Sequence, residues 1–311
     1  MGIELSKVNY AYYVPKKIKE PIRFTLNDIN LKLDSNDEFI AIVGHTGSGK
    51  STLVQMFNAL RFPSSGTVNI NDKYIIRKNI KNNIDCKKYR KQLISNPKIK
   101  FKLKPIRQIV GLVFQFPEYQ LFEETVLKDV MFAPKNFFKN EKDAKERAIK
   151  ISEIIGIDDL LEKSPFSLSG GQMRKVAIAG VLASNPDILV LDEPTVGLDP
   201  IAKKELLELL KELNEKYHKT IIIITHDMDV VSEYIKRVIV LKQGNLMYDG
   251  PKSELFKNEE LVEDCNLGLP SVVQLLKDIK KKLNIDIDEY QYNLNDAYQE
   301  LVRKLGEHNE W

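Results

Sequence analysis

Five apolar residues, Phe39-Ile40-Ala41-Ile42-Val43, run directly into Gly44-His45-Thr46-Gly47-Ser48-Gly49-Lys50-Ser51. This junction leaves the chain few conformational choices. The apolar run is short and largely β-branched, so it predicts a parallel strand buried on both faces. Beyond Ser51, the residues Leu53, Phe57 and Leu60 recur at helical spacing and stop before Pro63. The glycine-bearing string between strand and helix matches G-x-x-x-x-G-K-[ST], in which backbone N–H groups close around phosphate oxygens at a helix N-terminus. Lys50 adds a charge for the β- and γ-phosphates, and Ser51 offers a hydroxyl to Mg²⁺, a cation that keeps several waters and takes few protein ligands. The expectation is a phosphate loop for ATP with Mg²⁺. A glycine turn that merely caps a helix is the bland alternative, and the strand before it and helix after it argue against that.

Two more buried-strand runs follow at 188–191 and 220–225, with a helical stretch at 202–215 between them. Such alternation indicates a mostly parallel sheet covered by helices. Helical patterns at 143–155 and 173–182 suit an inserted helical subdomain at about 116–185. The expected fold is therefore α/β of the P-loop NTPase kind. Residues 72–107 are crowded with Lys and Arg and almost free of acids, which reads as a basic surface insertion. After Gly250 the stripes Val272, Leu275, Ile279, Leu283 and Leu294, Ala297, Leu301, Leu305 predict two amphipathic helices, so 1–250 is expected as one domain and 251–311 as a C-terminal helical extension.

Composition excludes more than it selects. With 43% hydrophobic and 29% charged residues among 311, the chain is neither disordered nor fibrous in character. No apolar run approaches the roughly 20 residues that cross a bilayer. The start lacks a basic stretch followed by an apolar core, so cytosolic residence is expected. Cys86 and Cys265 lie far apart without a C-x-x-C, which suits two reduced thiols. A net charge of +3 is too small to imply nucleic-acid binding, and no nucleic acid is expected as partner.

The run 188–191 ends in Asp192-Glu193. At the C-terminal edge of a parallel sheet these carboxylates would face the bound phosphates. Asp192 is then placed to organise Mg²⁺, and Glu193 to polarise the attacking water as general base. Leu168-Ser169-Gly170-Gly171-Gln172 precedes the 173–182 helix and offers a second glycine-bearing helix N-terminus. The phosphate loop, Asp192-Glu193 and this five-residue string together resemble the motifs of ATP-binding cassette ATPases. The resemblance covers about 3–250 and implies a core with an antiparallel β subdomain and the inserted helices. It also implies that two cassettes stack head to tail, each signature closing over the other's nucleotide.

On that resemblance the nucleotide is held by Tyr12, the expected adenine-stacking ring, and by Gly44, His45, Thr46, Gly47, Ser48, Gly49, Lys50, Ser51 and Thr52. Gln115 joins Ser51 and Asp192 at the metal and water site, and His226, after the 220–225 run, is the switch histidine beside Glu193. Leu168, Ser169, Gly170, Gly171 and Gln172 serve the nucleotide of the other chain, with Asp199 communicating across the dimer. Read alone, Tyr12 suits a hairpin core, Gln115 a strand edge, His226 a structural role and Asp199 a helix N-cap.

The stretch from Val113-Phe114-Gln115-Phe116-Pro117-Glu118-Tyr119-Gln120-Leu121-Phe122 to Glu124-Thr125-Val126 resembles the ATPases of energy-coupling factor (ECF) importers. Gly44-His45-Thr46-Gly47 and the segment from Arg174 to Ala183 agree, the Thr46 version being similar to the second of that family's two paralogous ATPases. The implied partners are a sister ECF ATPase in a heterodimer, a shared transmembrane subunit gripped near residues 116–122, and an exchangeable membrane protein that chooses a vitamin or metal ion. The C-terminal extension would help the two ATPases hold each other, or would simply cap the core. Ala133-Pro134 stands where the family often has Gly-Pro, Lys175 replaces a frequent Arg, and the basic insertion is longer than usual. Contact of that insertion with anionic lipid headgroups is one expectation for it, a solvated loop the other. A different importer class, or a cassette ATPase acting on DNA or ribosomes, are the competing readings. A DNA-repair type would need a long heptad insertion before Asp192, and ribosome-acting relatives carry two cassettes in one chain.

Overall fold

A computed structural model describes residues 2–13, 22–34, 37–77, 103–138 and 140–308. Most of the expected basic insertion, 78–102, lies outside the described residues, as does Cys86.

Two sheets pack around the helix that follows the phosphate loop. The first is antiparallel, in the order β2 (Leu26–Asp34), β1 (Gly2–Tyr10), β4 (Ser65–Ile70), β5 (Tyr74–Arg77). The second has the order β10 (Asn245–Pro251), β9 (Arg237–Lys242), β3 (Phe39–Val43), β8 (Thr220–Ile224), β7 (Ile188–Asp192), β6 (Val110–Val113). Its members from β9 to β6 are parallel, and β10 returns antiparallel along β9. Register brings Val43 beside Val240 and Asp192 beside Ile224, so the strand ends that carry the chemistry lie on one edge.

The apolar runs are continuous because the large sheet is covered on both faces, and their period of two sorts them into two cores. Phe39, Ala41, Val43, Leu189, Leu191, Ile221 and Ile223 face the helical side. Ile40, Ile42, Val190, Ile222 and Ile224 face the antiparallel sheet and α1 (Lys50–Phe57).

Between β5 and β7 run α2 (Lys104–Ile109), α3 (Val126–Phe137), α4 (Glu141–Ile155) and α5 (Gly170–Leu182), the last three packed on one another. After β7 come α6 (Pro200–Glu215), β8 and α7 (Met228–Tyr234). The C-terminal stretch holds α8 (Lys252–Lys257), α9 (Glu259–Asp264), α10 (Ser271–Leu283) and α11 (Leu294–His308). Leu255, Phe256, Val262 and Cys265 belong to the large core, whereas Leu276, Ile285, Ile287 and Ala297 form a small core of their own. That small unit is tied to α7: Ser271 N and Oγ donate to Asp229 at 2.6 and 2.7 Å, and Ser232 Oγ donates to Tyr292 O at 2.7 Å. No helix among the described residues is long and apolar enough to cross a membrane.

Candidate active site

The phosphate loop closes on itself around Lys50. Its ammonium donates to Gly44 O at 2.6 Å and His45 O at 3.0 Å, holding the loop in a ring ready for an anion. Gly49 caps α1 at φ 104°, with no side-chain cap on the helix, so first-turn N–H groups have no side chain competing for them. Only glycine suits Gly44, where a Cβ at φ +140° would stand 2.1 Å from Leu241 O. Burial pushes the Lys50 ammonium below its ordinary pKa, opposed by the charges of Glu193 and Asp192.

A cleft of about 330 Å³ gathers Tyr12, Thr25, Thr46, Gly47, Gly49, Lys50, Ser51, Thr52, Gln115, Asp192, Glu193 and Ile224. Three strand ends deliver the acids, the amide and the histidine: β7 ends in Asp192, β6 stops two residues before Gln115, and β8 ends just before Thr225-His226. Burial raises the Asp192 carboxyl above the usual range, partly offset by a hydrogen bond from Ser51. A buried carboxylate joined to a hydroxyl, with Gln115 on the same wall, suits a hard divalent cation that takes few protein ligands. Glu193 sits at φ +50°, a left-handed backbone uncommon for a non-glycine residue, one of several such positions among the described residues. Its carboxylate lies 2.9 and 3.1 Å from His226 Nδ1. A carboxylate only accepts, so Nδ1 carries the proton and Nε2 is free to face a substrate.

Leu168, Ser169, Gly170, Gly171, Gln172 and Asp199 do not line this cleft; they surround the start of α5 and α6 instead. Ser169 Oγ accepts from Gln172 N at 3.3 Å while Gln172 Oε1 accepts from Ser169 N at 3.0 Å, a complete capping box. Asp199 caps α6, its Oδ1 accepting from Ile201 and Ala202 N–H at 3.0 Å each.

Two arginines outside the expected site residues have structural consequences. Arg61 lies 4.6 Å from the Tyr12 ring centroid. Arg174, buried on the signature helix, donates to Pro194 O at 2.7 Å and Val196 O at 2.9 Å, and pairs with Glu118 at 3.4 Å. It therefore clamps the loop that leaves Glu193. Arg174 stands five residues after Ser169, within the 174–183 segment whose likeness to the ECF ATPases was its sequence signal.

A parallel sheet with a phosphate loop, two terminal carboxylates and a separate signature defines a P-loop ATPase of the cassette type. The ABC transporter family model matches residues 26–196. Energy-coupling factor transporter ATP-binding protein EcfA2 of Bacillus anthracis is 40% identical over 307 residues, covering 98% of this chain and 97% of that protein. EcfA2 of Streptococcus pneumoniae is 42% identical over 302 residues, covering 95% and 100%. Among solved structures, cbiO1 of Clostridium perfringens, part of the ABC transporter complex cbiONQ, has TM-score 0.66 at 34% identity, covering 88% of this chain and 98% of that one. A cassette, MJ0796, bound as a dimer to ADP and Pi has TM-score 0.62 at 30% identity, covering 80% and 98%. This chain belongs to the ABC transporter ATPases, and among them to the energy-coupling factor transporter ATP-binding proteins.

Proposed function

We propose that this chain is one of two paired ATPases which drive an ECF importer for a vitamin or metal ion from the cytoplasmic face of the membrane. The observation that carries the reading is the single cleft that unites Lys50, Ser51, Gln115, Asp192 and Glu193 while leaving the signature outside it. A complete site then needs the signature of a second chain.

The phosphate loop binds the triphosphate through backbone N–H groups and Lys50, and Tyr12 offers its ring to the base. Ser51, Asp192 and Gln115 would hold Mg²⁺, which when bound neutralises charge on the β- and γ-phosphates. Glu193 accepts a proton from the attacking water; the water oxygen bonds to the γ-phosphorus as the bond to the bridging oxygen breaks, giving ADP and phosphate. His226 Nδ1 orients the Glu193 carboxylate during that transfer.

Coupling to the membrane rests on the aromatic surface after β6. Phe116 and Tyr119 are 40% and 85% exposed, and Phe122 packs edge-on to Phe132 at 4.8 Å, a surface suited to a helix of the transmembrane partner. Glu118 lies within that surface and reaches Arg174. The test is recovery of the chain from membranes with its associated proteins: an integral subunit, a sister ATPase and ATP-dependent uptake are expected. Recovery with ribosomes or DNA, and no integral partner, would overturn the transport reading.

A further inference from the structure

Tyr12 stands in a bend after β1 with 57% of its surface exposed, an unpromising setting for a ring that must hold one orientation. Three contacts fix it. Its hydroxyl shares a hydrogen bond of 2.9 Å with Thr52 Oγ1, two residues into the helix of the phosphate loop. Tyr10 meets it edge-on at 84° with centroids 5.0 Å apart. The Arg61 guanidinium covers the ring with its carbon 4.6 Å from the centroid.

Arg61 is itself aimed rather than loose. Nε donates to Gln55 Oε1 at 3.0 Å and one terminal nitrogen donates to Tyr10 OH at 3.0 Å, so the planar fork is held from α1 and from β1. Tyr12 lines the nucleotide cleft and Arg61 is not among its lining residues, which suits a guanidinium that backs the ring. A cation over one face of an aromatic ring draws on its negative quadrupole, and the opposite face is left less repulsive to an electron-rich purine.

We propose that Arg61 is a positioning residue for the nucleotide base: it forms the outer layer of an Arg61, Tyr12, base stack and sets how tightly Tyr12 holds ATP. This rests on the reading of Tyr12 as the base-stacking ring.

The test is calorimetric binding of ATP and of inorganic tripolyphosphate, each with Mg²⁺, to the full chain and to Arg61→Met, Arg61→Lys and Tyr12→Ala. Tripolyphosphate presents the phosphates without a base. Arg61→Met is expected to weaken ATP about 3- to 10-fold while leaving tripolyphosphate within about 2-fold, with Arg61→Lys between the two. In the assembled transporter the same change should raise KM for ATP and leave kcat alone. Equal weakening of both ligands by Arg61→Met would reduce Arg61 to a support of the phosphate loop and overturn the proposal. Unchanged ATP affinity in Arg61→Met beside a loss in Tyr12→Ala would overturn it while sparing the stacking ring. If Tyr12→Ala also bound ATP normally, the stacking reading would fall, and the role of Arg61 with it.

Discussion

The chain carries two glycine-bearing helix N-termini that are built in opposite ways. At α1 the cap is Gly49 in the left-handed region, no side chain caps the helix, and Lys50 ties the loop to Gly44 and His45. At α5 the cap is Ser169 in extended backbone, closed by a reciprocal box with Gln172, and of the glycines that follow Gly170 is exposed and Gly171 half-buried. The first is organised around a ligand that its own cleft must receive. The second is closed by its own cap with Gly170 exposed, and on the proposed reading it serves the nucleotide of the sister chain. On the proposed reading one helix end is half of this chain's site and the other is half of the sister chain's.

Substitutions can break this contrast. The largest effect is expected from Glu193→Gln, which should leave ATP bound and lower phosphate release by the assembled transporter about 100-fold or more. Hydrolysis that continues at the wild-type rate would remove Glu193 from the role of base. Gly170→Asp should separate the two ends most clearly. A Cβ at Gly170 meets nothing within 4 Å, and an acid in the first turn of α5 favours the helix dipole, so melting temperature should hold or rise slightly. ATP binding to the single chain should stay within about 2-fold, yet hydrolysis with the sister chain should fall at least about 10-fold, because the new carboxylate meets the partner's γ-phosphate. Loss of ATP binding to the single chain would instead place the signature in its own cleft.

Smaller effects sharpen the comparison. Arg174→Met should release the Pro194 and Val196 carbonyls from their clamp and uncouple Glu118, costing stability of about 1–3 kcal/mol and slowing hydrolysis more than ATP binding; chemical denaturation with turnover assays would measure both. Asp192→Asn turns on the sign of a pKa shift. Burial raises the carboxyl in the folded chain, so the fold binds this proton more tightly than the unfolded chain does, and stability from this group falls as pH rises from the unfolded toward the folded value. At neutral pH the ionised acid is therefore a burden without nucleotide. Asp192→Asn should raise the melting temperature of the nucleotide-free chain while abolishing the stabilisation added by Mg²⁺ with ATP. Ser169→Ala removes one half of the capping box and should cost about 1 kcal/mol in denaturant unfolding, the least of the five.

Much of the site was legible because phosphate binding is local chemistry. The loop 44–51 begins where β3 ends, Asp192-Glu193 closes β7, and Ser169 begins its helix with Gln172 at the third helical position. The alternating strands were harder. In β1 and β2 exposed Glu4, Asn27 and Asp28 interrupt the apolar positions, and β10 returns along β9 as a hairpin outside the strand-helix alternation. Asp199 is engaged as a helix cap, the reading its position before Pro200 offers on its own.

By itself the sequence determined the chemistry that depends on neighbours in the chain: a buried strand feeding a glycine loop, a lysine and serine opening a helix, two carboxylates at a strand end. Those features follow from backbone sterics and short-range periodicity, which any few consecutive residues express. Only the tertiary structure decided which side chains meet across long separations. Arg61 covers Tyr12, Arg174 grips the carbonyls of Pro194 and Val196, and Asp229 holds Ser271. Each contact joins elements brought together by packing against the central sheet, so no local pattern could announce it.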